Sequence, residues 1–139
     1  MLEALVDCGA ILCLASGTDR PDVMREAAAL DIGRYFGDRI YGALDRYWEF
    51  SKQMLIGEII RTHGLHGPEF AGIGDGFVEI ENTKAVGGIA IGVASDEARR
   101  QGINEWKRRR LIRAGADLII PDFREHRALI AYLWGEAPA

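Results

Sequence analysis

Phe70-Ala71-Gly72-Ile73-Gly74-Asp75-Gly76-Phe77-Val78-Glu79 reads as a short apolar strand, an acid between two glycines, and the first turn of a helix. A strand that ends in Asp and turns through Gly into a helix aims Asp75 and Glu79, four residues apart, at one point beyond the sheet edge. That is where open α/β sheets bind ligands. An oxygen-rich corner of this kind suits a hard cation such as Mg²⁺. The same pattern also serves as an ordinary helix start with two solvated acids, so the rest of the chain must decide between them.

Working outward, apolar runs of four to six residues alternate with helical patterns, which predicts a three-layer α/β fold around a mostly parallel, Rossmann-like sheet. Residues 10–14, 39–41, 70–73, 89–93 and 118–120 read as strands. Helices are expected over 1–8, 21–30, 50–63, 78–86, 104–114 and 124–134. Val23, Ala27 and Leu30 share one helical face, as do Phe50, Met54, Leu55, Ile59 and Ile60, and Leu129, Ile130, Leu133 and Trp134 form the inner face of the last helix. Pro21 suits a first helical turn, Asp19 or Thr18 its cap, and Gly33 its exit.

The 139 residues, 48% of them hydrophobic, are enough for one domain with one core. Seventeen basic against 21 acidic residues give a net charge of −4, which argues against a general nucleic-acid or membrane-surface binder. No apolar run approaches a membrane span and residues 1–10 lack a signal-peptide pattern, so a cytoplasmic protein is expected. Cys8 and Cys13, without CxxC spacing, read as buried free thiols.

Two further strand ends carry polar groups. Ser16-Gly17-Thr18 follows the 10–14 strand and offers a hydroxyl and glycine-freed N–H groups, either an anion site or a capping turn. Lys52 begins the 50–63 helix, where an ammonium and the helix dipole would both favour an anion, although such a lysine is commonly a solvated charge.

Taken in order and spacing, Ser16-Gly17, Lys52 and the Gly74-Asp75-Gly76-x-x-Glu79 loop resemble the haloacid dehalogenase-like (HAD) phosphohydrolase superfamily. The resemblance runs from about Leu5 to Trp134. It implies that Ser16 and Gly17 bind a transferring phosphate, that Lys52 screens nucleophile and phosphate, and that Asp75 ligates Mg²⁺ directly with Glu79 as a second, water-mediated acid. The implied substrate is a small phosphorylated molecule.

One part of the family's pattern is absent. Its members carry an Asp-x-Asp strand whose first aspartate attacks phosphorus, and no Asp-x-Asp occurs in this chain. Covalent phosphoryl transfer needs that attacking atom, so the isolated chain is expected to be inactive or impaired. The family's first strand is also central in its sheet. Without it, the strands at 10–14 and 70–73 either pair directly or expose edges that invite a second copy. The interval from Ser16 to Lys52 is too short for a substrate-selecting cap domain. The chain therefore reads as a partial core, either a piece of a longer phosphatase or a truncated relative.

A different class of function draws on Arg99, Arg100, Lys107, Arg108, Arg109, Arg110 and Arg113, with Trp106 and Trp134 as aromatic neighbours. This segment could hold an acidic partner or single-stranded nucleic acid, could grip an anionic substrate above the phosphate site, or could be a solvated helix face, the last being favoured by the negative net charge. A dinucleotide fingerprint fails because Glu79 stands where a third glycine belongs. His63 and His66 lack a third nearby ligand for zinc.

Overall fold

In a computed structural model, which describes residues 1–43 and 52–136, the chain is an α/β protein with two small parallel sheets among the described residues. Two compact units divide it, one of Met1–Ser51 with His126–Ala139 and one of Lys52–Glu125.

The first unit runs α1 (Leu2–Asp7), β1 (Leu14–Asp19), α2 (Arg20–Ala29), α3 (Gly33–Phe36) and β2 (Ile40–Ala43), with α7 (His126–Leu133) from the C-terminal end. β1 pairs in parallel with β2 through Leu14 and Ile40 and through Ala15 and Tyr41, then slips before Asp19 meets Ala43. The extra residues of β1 form a bulge at Ser16-Gly17-Thr18, where the Ser16 Oγ accepts the Thr18 N–H at 3.1 Å. Val23, Ala27, Phe36 and Ile40 are the buried core, with Leu12, Leu14 and Ile32 packed against them. Gly42 is required sterically, because a Cβ there would meet the Arg20 backbone.

Several expectations for this unit are corrected. The first strand starts at Leu14 rather than residue 10, because the Leu12 carbonyl is satisfied by the Arg39 side chain at 2.9 Å instead of by a ladder partner. Leu30 is 69% exposed, since α2 ends at Ala29 and the chain turns away through Asp31 at φ 53°. Gly33 opens α3 and is not the exit of α2. Trp134 lies past the end of α7 and is exposed, so Leu129 alone is fully buried on that helix. Cys8 is exposed and Cys13 half-buried, both free thiols, with burial pushing the Cys13 thiol up against the opposing charge of Arg39.

The second unit runs α4 (Lys52–His63), a short 3₁₀ turn (Gly67–Glu69), β3 (Ala71–Gly74), α5 (Phe77–Ala85), β4 (Ile89–Val93), α6 (Glu105–Ala114) and β5 (Leu118–Ile120). The three strands lie in the order β3-β4-β5, all parallel, with Ile73 opposite Ile91 and Ile91 opposite Leu118. The central strand is buried on both faces at Ala90, Ile91 and Gly92, which explains its unbroken apolar sequence. Ile80, Ala90, Ala94 and Leu111 form the core, and burying a side chain such as Ile80 or Leu111 contributes about 1.5–3 kcal/mol. Asn104 caps α6 by accepting the Lys107 N–H at 3.0 Å, and Gly115 ends it in the left-handed region at φ 103°.

On α4 the half-buried stripe is Leu55, Ile56, Ile59 and Ile60, whereas Met54, expected on that stripe, is 65% exposed. The expectation for Phe50 lies outside the described residues. Among the described residues β1 is paired with β2 within the first unit, and β3 with β4 within the second. β3 is an edge strand among the described residues.

Candidate functional site

The candidate site is built where β3 passes into α5. Gly76 is the N-cap of α5, and Glu79 occupies the third helical position, where a carboxylate favours the orphan N–H groups of the first turn. The two glycines have steric reasons. A Cβ on Gly74 would come within 2.9 Å of the Glu79 Cβ, and one on Gly76 would overlap the Glu79 Oε2. The Glu79 side chain therefore lies back across the turn instead of extending into solvent. Its backbone carbonyl accepts the Thr83 hydroxyl at 2.7 Å, which ties the next turn of the helix to it.

Held in this way, Glu79 Oε1 accepts a charge-assisted hydrogen bond from Lys52 Nζ, the first residue of α4. Both side chains are about a quarter exposed, at 24% and 26%. Burial lowers the Lys52 pKa from its ordinary value, and the exposed Asp75 carboxylate opposes that shift.

Lys52, Asp75 and Glu79 share one cleft of about 330 Å³. It is lined as well by Phe77 and Val78 of α5 and by Trp106, Lys107 and Arg110 of α6. The Arg110 guanidinium lies 4.5 Å from the Phe77 ring centroid and 5.3 Å from that of Trp106. Lys107 Nζ is bound to Glu97 Oε1 at 2.8 Å, a contact that raises the lysine's pKa and lowers the glutamate's.

Lys52, Asp75 and Glu79 are thus brought together. Ser16 and Gly17 belong to the first unit, inside β1 rather than in a loop after it, with Ser16 half-buried and Gly17 exposed. Phe77, Val78 and the stacking of Arg110 were not singled out from the sequence. For Arg110 the signal was its i,i+4 spacing from Trp106 on α6, within a run read for its charge and its aromatic neighbours but not for that pairing. In that run Lys107 and Arg108 are paired with Glu97 and Glu105. No group of three or more His, Cys, Asp or Glu able to hold a metal occurs among the described residues. No helix among them is long and apolar enough to cross a membrane.

No family model and no curated protein matches the chain. Solved structures do. A HAD family hydrolase from Deinococcus radiodurans, determined with bound phosphate and sodium, aligns over 99% of this chain and 59% of its own at 19% identity and a TM-score of 0.74. A protein from Haemophilus somnus described as a predicted phosphoglycolate phosphatase aligns over 93% and 53% at 19% identity and a TM-score of 0.71. A haloacid dehalogenase-like protein of unknown function from Agrobacterium tumefaciens aligns over 88% and 54% at 21% identity and a TM-score of 0.68. The chain spans somewhat more than half the length of these structures. With its strand-to-helix turns and parallel ladders in this order, the chain has the fold of the haloacid dehalogenase-like hydrolases.

Proposed function

We propose that this chain is the phosphate-binding part of a HAD-like, Mg²⁺-dependent phosphomonoester phosphatase core. The observation that carries the reading is the meeting of the Lys52 ammonium with the Asp75 and Glu79 carboxylates in one cleft. By the family resemblance Ser16 and Gly17 are the residues for phosphoryl oxygens, and Lys52 supplies positive charge within its own cleft. A half-buried ammonium interacts more strongly with an anion than a fully hydrated one, because the local dielectric is lower. Asp75, exposed and at the helix entrance, is the residue to hold Mg²⁺, with Glu79 reaching it through water because its Oε1 is engaged by Lys52. When bound, the ion supplies charge neutralisation at the phosphate.

The chain holds no Asp-x-Asp pair, so no aspartate in the family's order is placed to attack phosphorus. Phosphatase activity of this chain alone is therefore expected at background. β3, an edge strand among the described residues, suits pairing with a second copy, and a cytoplasmic location is part of the same reading. The competing reading, an acidic partner or nucleic acid on the residue 99–113 segment, is supported by Arg109 and Arg113, which have no ion-pair partner among the described residues. It is the weaker reading because Lys107 and Arg110 line the cleft.

Calorimetric titration with inorganic phosphate tests the proposal. Binding that weakens at least about tenfold in both Lys52→Met and Ser16→Ala supports it, since each removes a charged or hydroxyl contact worth roughly 1.5 kcal/mol or more. Phosphate heat that neither substitution changes would overturn it.

A further inference from the structure

We infer that the wall formed by Trp106, Arg110 and Phe77 is a subsite for an aromatic or heteroaromatic ring carried by the phosphate ester that enters the Lys52 cleft. The inference rests on the phosphate-binding reading above and adds the class of the leaving group.

Trp106 is 68% exposed, a large apolar surface to leave in water at the first turn of a helix. A scattered exposed aromatic needs no explanation, but this one borders a cleft together with Phe77 and Val78. Its ring is also backed by a guanidinium, as is that of Phe77, at 5.3 and 4.5 Å. Arg110 therefore stiffens a surface that would otherwise sample several rotamers.

The charge of Arg110 is unspent as well. It has no carboxylate partner among the described residues, in contrast to Lys107 and Arg108 beside it. Lys52 and Lys107 each have a carboxylate in contact, and Arg110 adds to the Lys52 cleft a cation without one among the described residues. A planar π-system laid on the indole gains stacking and the field of the nearby guanidinium, whereas an aliphatic group of similar bulk gains only contact area. The cleft, at about 330 Å³, is at the lower end of the range that accommodates small ligands, which suits a single phosphorylated ring.

Phenyl phosphate and methyl phosphate are the probes, since both are monoesters of the same charge. Isothermal titration of the whole chain is expected to show phenyl phosphate binding about tenfold tighter, the scale of one stacked ring. In Trp106→Ala the preference should fall to near unity with methyl phosphate unchanged, and in Trp106→Phe it should largely persist. Far-UV circular dichroism verifies that these exposed-site variants are folded. Equal affinity for the two esters in the unmodified chain, or a preference that survives Trp106→Ala, overturns the ring subsite while leaving the phosphate reading intact. Binding of neither ester removes the phosphate reading itself, and the subsite with it.

Discussion

Lys52 Nζ donates to Glu79 Oε1, so the first residue of α4 is tied to the first turn of α5 by a pair that is about three-quarters buried. Removing one member leaves a partly desolvated charge without its partner. Glu79→Gln is expected to cost about 1–2 kcal/mol in urea unfolding, and Lys52→Met a similar amount. In a double-mutant cycle the two should fall short of additivity by about 1 kcal/mol. Strict additivity would mean that the pair contributes nothing to stability.

Gly72 faces Thr83, and a Cβ there would overlap the threonine hydroxyl that bonds to the Glu79 carbonyl. Both partners lie in packed structure, with Thr83 only 1% exposed. Gly72→Ala should destabilise by about 1–3 kcal/mol through overpacking. Adding Thr83→Ala should recover part of that loss even though it removes a hydrogen bond. A Gly72→Ala protein as stable as the parent would show that the strand and helix are more loosely packed than this geometry.

Asp117 precedes β5 and accepts the Ala90 N–H at 2.8 Å and the Lys84 ammonium at 3.0 Å, while its own N–H donates to the Ala90 carbonyl. The backbone bond first, and Lys84 second, lower its pKa against the opposing effect of burial. A carboxylate with a depressed folded-state pKa stabilises above its unfolded value and loses that contribution as pH falls through the folded one. Asp117→Asn is therefore expected to cost about 1 kcal/mol at neutral pH, the solvent-screened Lys84 pair adding little. The gap to the parent should narrow as pH drops below about 4. A gap that stays constant down to pH 2 would rule out ionisation of Asp117 as its source.

For Mg²⁺, Asp75→Asn should abolish the binding heat, whereas Glu79→Gln should weaken it less, because Glu79 already serves Lys52. Magnesium heat that is indifferent to Asp75 would remove the metal assignment. On a phosphomonoester the chain alone should read background. Robust turnover lost in Asp75→Asn would show that another group supplies the nucleophile.

Much of the second unit was legible in the sequence because its elements depend on local patterns. The apolar run at 89–93 and the helix expected over 104–114 each have a nearest-neighbour cause, and the strands at 71–74 and 118–120 lie within a residue of expectation. The first unit was less legible. Its opening strand shifted by four residues because a distant side chain, Arg39, took the Leu12 carbonyl, and no periodicity reports that.

The sequence by itself determined the alternation of strands and helices, the acid-bearing turn at 74–79 and the absence of an Asp-x-Asp pair, since these follow from residue type and spacing. Only the tertiary structure decided what the acids do. Glu79 folds back over two glycines to meet Lys52, a residue 27 positions away, and Arg110 stacks on Phe77, a residue from another helix. Such contacts depend on how packed elements place side chains in space, a relation that spacing along the chain does not encode.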